Sequence, residues 1–255
     1  THTYHDVTFD GTSPFLFTGI NDMNGWWDFS DNTNIIKTTS EFIEVLDKSG
    51  TNNSLVSRGN NPLIDSINGL QAGYFGDAND GKSLITENIV GTNNGDYSTF
   101  ALVQLEGNRA GGIFATHNGI NPRRANWLQN ATTPSLWHGE DFLTADALDN
   151  NPHLIDWIYG AGIANNEIGI DGDTTPVTNT DVFDWNATLM EVGAVVDGNT
   201  PWSGRIGEVI SFDRALTQSE QEQVEGYLAH KWNISDNLPI NHTYKNESPS
   251  GAAGS

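Results

Sequence analysis

The stretch Trp202–Ile234 reads WSGRIGEVISFDRALTQSEQEQVEGYLAHKWNI, and residues 238–245 continue it with LPINHTYK. Its first part, Arg205–Phe212, is a short run of apolar and β-branched residues with polar residues interspersed. Such a run, closed by a turn signal, is typical of a β-strand. The stretch therefore predicts a strand near the carboxyl end of the chain.

A helix is predicted directly after that strand. Thr217 and Glu220 have the T-x-x-E spacing of a capping box, in which each residue satisfies a free backbone group of the first helical turn. From Gln221 to Trp232, large apolar residues recur at helical spacing, which predicts one buried face. Elsewhere in the chain helical patterns are scarce, so we expect a β protein with one capping helix.

Turn signals and short apolar runs alternate along the rest of the chain. Pairs that favour turns recur along the chain, namely Asp10-Gly11, Asn24-Gly25, Ser49-Gly50, Asn68-Gly69, Asp80-Gly81, Asn94-Gly95, Asn118-Gly119, Asp171-Gly172 and Asp197-Gly198. The clearest strands between them are Thr99–Leu105, Gly112–Ala115 and His153–Tyr159. This spacing predicts an all-β fold, an antiparallel two-sheet β-sandwich.

The length and composition fit one folded domain. The chain has 255 residues, 36% of them hydrophobic, and all-β sandwiches of this length commonly form a single unit. We therefore predict one domain over residues 1–245. Residues 246–255 are small and polar and predict a flexible linker or tail. The chain has no cysteine, which excludes disulfides and thiolate metal sites.

The charge is strongly negative. Lys and Arg number 11 against 33 Asp and Glu, giving a formal net charge of −22. Such a surface repels phosphate backbones and anionic lipid, so nucleic acid is an unfavourable partner. No apolar run approaches the ~20 residues of a membrane-spanning helix, so no membrane insertion is expected. The acidity has two compatible interpretations: oxygen ligands for Ca²⁺, or solubility in salty water.

The chain resembles the bacterial laminin-G-like, concanavalin A-like jelly roll. The resemblance rests on the closing strand and helix quoted above, and on upstream segments that follow in the family's order, namely Trp27–Asp31 (WDFSD), Asp47–Asn53 (DKSGTNN), Asn68–Leu70 (NGL) and Tyr74–Asp77 (YFGD). His153-Leu154 and Ile168–Gly172 are similar to its central hairpin. The resemblance covers about residues 20 to 245 and implies a jelly-roll sandwich.

Several residues near the carboxyl end have a predicted structural role. Trp202 and Trp232 are expected to hold the helix against the edge of the sheet. Glu208, Asp213 and Arg214 are expected at a strand end, where carboxylate and guanidinium groups can pair across the turn into the helix.

Five aspartates are predicted calcium ligands. Asp77 and Asp80 lie within the D-A-N-D-G sequence of residues 77–81, which resembles half of a calcium loop. An Asx-rich hairpin would have the same composition, so both interpretations stay open. Asp173 and Asp181 form a second cluster beside Asp171, which is itself expected in a hairpin turn. Asp96 follows an oxygen-rich run, residues 92–95.

Ligand contacts are predicted in the region of residues 117–150. This region and residues 173–190 are longer than simple hairpins of the family, and insertions on a rigid sandwich commonly carry binding function. The candidate contacts combine aromatic and charged side chains in twenty residues, namely Arg123, Arg124, Trp127, Trp137, His138 and Asp141. Indole faces stack on sugar rings or peptide side chains, and guanidinium groups bind carboxylates. Alternatively, both tryptophans are core residues of a strand pair.

No catalytic motif is present in the sequence. Retaining hydrolases on this fold resemble one another in an E-x-D-x-E strand that places two carboxylates ~5 Å apart, and no predicted strand here contains it. H-E-x-x-H and G-x-S-x-G are also absent. We therefore expect no enzymatic activity.

The resemblance implies a non-catalytic, calcium-dependent ligand-binding module of a bacterial extracellular protein. Similar modules occur in large secreted adhesins and in multidomain surface proteins. The expected partner is an extracellular glycan or a peptide or protein ligand on a host or neighbouring cell, bound by a monomeric module of a larger chain. The alternatives are an accessory or degenerate polysaccharide-hydrolase domain and a structural spacer.

The calcium hypothesis predicts that chelation destabilises the fold. Ca²⁺ that binds only the folded state raises the melting temperature by mass action. EDTA is therefore expected to lower the melting temperature, and added Ca²⁺ to restore it, as measured by scanning calorimetry. Identical melting curves with and without EDTA would leave the carboxylates as solubilising groups.

Overall fold

The computed structural model describes residues 17, 19–76, 81–86, 95–107, 109–118, 122–129, 132–137, 141–143, 147–160, 166–177, 187–196 and 198–249. Within these residues two antiparallel β-sheets face each other, and one α-helix covers the outer side of one sheet. The predicted all-β sandwich with a carboxyl-terminal helix is therefore confirmed. Within the same residues no helix has the length and apolar character that crossing a bilayer requires.

The described strands, in chain order, are β1 (Met23–Asp28), β2 (Ile35–Lys37), β3 (Phe42–Val45), β4 (Leu55–Ser57), β5 (Leu63–Ile67), β6 (Leu70–Tyr74), β7 (Leu84–Thr86), β8 (Tyr97–Leu105), β9 (Gly111–His117), β10 (Pro122–Gln129), β11 (Thr133–Trp137), β12 (Asp141–Leu143), β13 (Pro152–Tyr159), β14 (Asn166–Ile170), β15 (Asp173–Val177), β16 (Leu189–Val192) and β17 (Gly204–Phe212). The helix α1 spans Gln218–Lys231, and short 3₁₀ turns lie at Asn32–Asn34 and Ser235–Asn237.

The strands form sheets of eight and nine members. The first sheet has the order β15-β14-β13-β8-β17-β6-β5, with β1 also paired to β17. The second has the order β12-β11-β10-β9-β16-β7-β4-β3-β2. Seven of the fifteen described strand pairings join strands that are not consecutive in the chain, so each sheet is assembled from segments along most of the chain.

Alternation along the central strands creates two separate cores. In β8, Ala101 and Val103 face the second sheet, whereas Phe100 and Leu102 face the opposite way toward α1. Because successive side chains of a strand point to opposite faces, one nearly continuous apolar strand supplies both cores. The first sheet is therefore buried on both faces around its centre, and α1 packs against its outer face.

The helix begins where the capping box predicts. Thr217 has an extended backbone, and its N–H donates to the Glu220 carboxylate at 2.9 Å. Val224 and Leu228 are fully buried against the sheet. The helix therefore starts at Gln218, three residues before Gln221, where the apolar pattern begins. The apolar pattern marks only the residues that pack against the sheet, and the first turn is polar.

A buried charged network joins the helix to the first sheet. The Glu208 carboxylate, in the middle of β17, accepts hydrogen bonds from the indole groups of Trp26 and Trp232 at 2.6 and 2.9 Å and from the Tyr227 hydroxyl at 3.0 Å. The Lys231 ammonium lies 2.6 Å from Glu208 and 2.7 Å from Asp28. A buried carboxylate needs several such donors, since an unpaired one is very costly.

Electrostatics favour the ionised form of Asp28. Burial alone would raise the pKa of its carboxyl, but the charges of Lys231 and Lys48 and their hydrogen bonds more than offset this, so that the pKa lies well below its usual range. Lys48 also pairs with Asp31 at 2.8 Å and extends the network to the surface.

Two predicted hairpin turns are confirmed. Asn68-Gly69 and Asp171-Gly172 each have positive φ at both positions, the geometry of a tight two-residue turn. In contrast, the turn predicted at Asn24-Gly25 is wrong, because both residues lie inside β1. Gly25 is needed there for close approach: a Cβ atom would stand 2.3 Å from the indole of Trp27.

Two predicted structural roles need correction. Trp232 packs under the helix, but Trp202 lies in the core between the two sheets. Glu208 lies within β17 and pairs with the helix, so it is not a partner of Arg214 across the turn. The Arg214 guanidinium instead makes a bidentate pair with Glu220 of α1, at 2.8 and 2.6 Å.

Removing the buried cation is expected to destabilise the fold. Lys231→Met leaves two buried carboxylates without their nearest positive charge, and breaking a buried pair in this way typically costs about 3–5 kcal/mol. Urea denaturation measures the change in the free energy of unfolding. Lys37→Met, at an exposed lysine, is the matched control and should stay within ~0.5 kcal/mol of the wild type. A loss below about 1 kcal/mol for Lys231→Met would contradict the role given to this network.

Candidate ligand-binding site

The predicted ligand region forms an edge of the nine-stranded sheet. The part of it that the structure describes contains β10, β11 and β12, which pair successively beyond β9. The expectation that the candidate contacts lie in long loops is therefore wrong for Arg123, Arg124, Trp127, Trp137 and Asp141, all of which lie in strands.

Two tryptophans share the outer face of this edge. Trp127 is paired with Ser135, and Trp137 with Ala125. Residues paired across an antiparallel ladder point to the same face, and so do residues two apart in a strand. Leu128 and Leu136 occupy the alternating positions and lie in the core. The half-buried indoles of Trp127 and Trp137 therefore face away from the core, side by side on one surface.

Unsatisfied polar atoms lie beside these indoles. The Nε1–H of Trp127 and the hydroxyl of Ser135 are both buried and have no hydrogen-bond partner among the residues that the structure describes. The two residues are direct cross-strand neighbours on this face. Since nearly all buried polar groups in native proteins are hydrogen-bonded, such a pair indicates a position where water or a ligand completes the bonding.

The same outer face carries a buried acid and imidazole further toward its centre. Glu191 of β16 is paired with Ala115 of β9, and its carboxylate lies 3.0 Å from His117 Nε2. Burial would raise the pKa of Glu191, but hydrogen bonds from His117, Ser83 and the Gly198 N–H outweigh it, so the pKa is lowered. Sequence reasoning missed both residues. The only signal is a polar residue that interrupts the apolar strand Leu189–Val192.

Arg124 lies on the opposite face of β10. Its side chain is buried between the sheets at 8% exposure, with the guanidinium carbon 3.8 Å from the centre of the Tyr97 ring. The side chain of Asn126, two residues along, is fully buried, and neither of its amide atoms has a hydrogen-bond partner in the described ranges. Burial lowers the pKa of Arg124. Strand alternation therefore separates Arg124 from Trp127 and places it in the interior instead of at a surface contact.

The remaining predicted contacts are only partly located. Arg123 lies in β10 and Asp141 in β12, and the structure describes their backbone alone. His138 lies outside the described residues. The backbone of Asp141 pairs with that of Trp137, so its strand borders the two-indole face.

The predicted calcium ligands are not brought together where they can be located. Asp77, Asp80 and Asp181 lie outside the described residues. Asp96 and Asp173 are exposed. Asp173 lies in β15, three strands away from β8, and the strand pairings put it in register with Ala101 of β8. Ala101 is five residues after Asp96. That is ~17 Å along the strand direction. Within the described ranges no three His, Asp or Glu side chains have an arrangement that could hold a metal ion.

Similarity to known proteins is confined to the fold. No protein-family model matches the chain, and no curated protein matches it in sequence. Among solved structures, the chain is similar to the Trypanosoma rangeli sialidase in complex with sialic acid, with TM-score 0.56 and 10% identity over 82% of this chain and 33% of that chain.

Two botulinum neurotoxin structures are also similar. One is the binding domain of botulinum neurotoxin DC in complex with rat synaptotagmin II, with TM-score 0.58 and 12% identity over 81% of this chain and 52% of that one. The other is botulinum neurotoxin type C, whose cell entry depends on two ganglioside molecules, with TM-score 0.55 and 12% identity over 81% and 51%. The chain thus spans a third to about half the length of these structures, and at this low identity the likeness shows the β-sandwich fold alone.

A titratable carboxyl lies near the buried Arg124. Burial raises the pKa of Asp213 to about 6, although the charge of Arg124 and a hydrogen bond from Asn24 act in the opposite direction. A folded-state pKa above the unfolded value stabilises the fold at low pH, and this contribution is lost as pH rises through about 6.

Asp213→Asn is therefore expected to gain stability relative to the wild type between pH 4 and pH 7, by on the order of 1–2 kcal/mol. Thermal melts across this range measure the difference. Glu247→Gln, at an exposed acid, is the control and should show no such trend. A difference between Asp213→Asn and the wild type that does not change with pH would refute the assignment.

Proposed function

We propose that the chain is a non-catalytic carbohydrate-binding module of a bacterial extracellular protein. In this proposal the ligand binds the outer face of the nine-stranded sheet at β10 and β11, and calcium orders neighbouring loops. The proposal extends to a role in adhesion at the cell surface, within a larger multidomain chain.

One observation carries the proposal. Trp127 and Trp137 present two indoles on one face, and within the described part of the chain the buried N–H of Trp127 and hydroxyl of Ser135 beside them have no hydrogen-bond partner. A sugar offers an apolar ring face for stacking and hydroxyl groups that both donate and accept hydrogen bonds. It therefore matches both halves of the site, whereas an aliphatic ligand would leave the polar atoms unsatisfied.

The structural neighbours support a glycan over other ligands. The sialidase structure contains sialic acid, and type C neurotoxin depends on gangliosides. The neurotoxin DC binding domain is in complex with rat synaptotagmin II, so a peptide ligand is the second candidate. The adjacent indoles with unsatisfied polar atoms favour the glycan, because a peptide binds most readily along a free backbone edge or in a groove.

Calcium is part of the proposal through the acidic loops. The chain has a formal net charge of −22, and Ca²⁺ would neutralise carboxylates that otherwise repel one another around the rim of the sandwich. Asp77, Asp80, Asp96, Asp173 and Asp181 remain the proposed ligands. They would serve more than one ion, since Asp96 and Asp173 lie apart.

A glycan array followed by calorimetric titration tests the proposal. The wild type is expected to bind one glycan class saturably in calcium buffer, without releasing reducing sugar. Trp127→Ala and Trp137→Ala should each weaken binding about tenfold, equivalent to ~1.4 kcal/mol. Ile36→Ala changes an exposed apolar residue in β2, at the far edge of the same sheet, and should leave affinity within about twofold.

Each contrary outcome has a defined meaning. Absence of saturable binding to glycans would remove the proposal and leave a peptide-binding module or a structural spacer. Release of sugar from a polysaccharide would replace it with the hydrolase alternative. Glycan binding that both tryptophan variants retain would place the site elsewhere on the sandwich.

A further inference from the structure

A cavity lies between α1, the β14–β15 hairpin and the segment after the helix, on the side of the sandwich opposite to Trp127 and Trp137. We call it the helix cleft; its volume is about 350 Å³. This volume is within the range of small-molecule sites. Its lining is mostly polar and includes four acidic side chains from three elements, namely Glu167 of β14, Asp173 of β15, and Glu222 and Glu225 of α1.

The lining carries one group able to be positive. His242, from the segment after the helix, lies with Nε2 2.9 Å from a Glu225 carboxylate oxygen, and both side chains are buried. No lysine or arginine is among the residues that line the cleft. Four carboxylates therefore face at most one charge of opposite sign.

A fifth carboxyl, Asp156, lies fully buried behind Gln221 and Glu225 of the lining. Its Oδ2 accepts a hydrogen bond from the Gln221 amide at 3.0 Å, and its carboxyl group is within hydrogen-bonding reach of the Glu225 carboxyl. Among the described residues no N–H or O–H group donates to its Oδ1. The carboxyl group lies directly over Gly169, where a Cβ atom would be 2.2 Å from Oδ1. Thr174, the next residue in this cross-strand row, lines the cleft. The Asp156 carboxyl group therefore leans along this row, toward the strand that contributes Thr174 to the cleft.

Like charges in this cluster repel one another. Burial and the neighbouring Glu225 and Glu167 raise the pKa of Asp156 well above its usual range. Burial and Glu225 also raise the pKa of Glu167. A proton on Asp156 relieves this repulsion in the free protein. A bound cation would do the same and would release that proton.

We propose that the helix cleft binds the primary ammonium group of a small polar ligand. An ammonium group has three hydrogen-bond donors, and it can bind oxygens that do not converge on a single point. Ca²⁺ requires six to eight oxygens converging at about 2.4 Å, and the described side chains here do not converge in this way. The amide and hydroxyl side chains of the lining suit hydroxyl or amide groups on the rest of the ligand.

The helix cleft is spatially separate from the proposed glycan site. It lies over the outer face of the eight-stranded sheet, whereas Trp127 and Trp137 face outward from the other sheet. Asp173 lines the cleft and is also a proposed calcium ligand, so the amine titrations are made in EDTA, where calcium does not compete for it.

Calorimetric titration with two amines tests the proposal and distinguishes the source of the ammonium group. The probes are D-glucosamine and Nα-acetyl-lysine amide, each compared with its form N-acetylated at the amine. At least one amine is expected to bind saturably, and its acetylated form to bind at least tenfold more weakly. Binding at pH 7 should release protons, which is measured by repeating the titration in buffers of different ionisation enthalpy.

Variants locate the binding. Glu167→Gln removes one lining charge at a half-buried position and should weaken amine binding at least fivefold. Glu44→Gln makes the same change on the other sheet and should leave it within twofold. Asp156→Asn should abolish the proton release, and its melting curve verifies folding.

Three results would overturn the proposal. One is equal affinity for amine and acetylated forms, or no binding of either amine by the folded wild type. Another is equal weakening by Glu167→Gln and Glu44→Gln, which would indicate only a general charge effect. The third is tight binding of Ca²⁺ alone that Glu167→Gln abolishes, which would assign the cleft to a metal ion.

Discussion

The ion pair of Lys231 with Glu208 and Asp28 is the interaction on which the architecture depends. Glu208 lies in the centre of β17, and Lys231 ends the helix, so the contact fixes the helix over one face of the eight-stranded sheet. Two indole groups and a tyrosine hydroxyl complete the bonding of the carboxylate. Displacing the helix would leave this charge buried and unpaired, so the helix has one stable position.

The two outer faces of the sandwich differ chemically, because the helix covers only one of them. On the eight-stranded sheet, the helix and the segment after it bury a second core and leave one polar cleft at their margin. On the nine-stranded sheet, at the β10–β11 edge, aromatic side chains remain half-buried. Chemically different surfaces thus arise on one rigid frame: an aromatic face with free hydrogen-bonding atoms and an acidic cavity. Each suits a different ligand group.

Much of the fold could be predicted from local pattern, and much of the site could not. The strand around Val209, the capping box at Thr217 and the hairpin turn at Asp171 depend on neighbouring residues, which the sequence displays directly. Arg124 and Trp127 looked equivalent, because only the register with adjacent strands decides which faces inward. The charge pairing of Glu208 with Lys231 and the proximity of Asp156 to Glu225 arise from residues far apart in sequence, so no spacing rule could find them.

Gly169 has a consequence for how this fold can vary. The carboxyl group of Asp156 occupies the volume that a side chain at position 169 would need. Any larger residue at position 169 therefore requires a smaller residue at position 156. A chain with both changes would fill this space with an apolar side chain and would lose the buried carboxyl group. Across diverging sequences these two positions should change as a pair, and a glycine opposite an aspartate would mark the members that keep the acidic cavity.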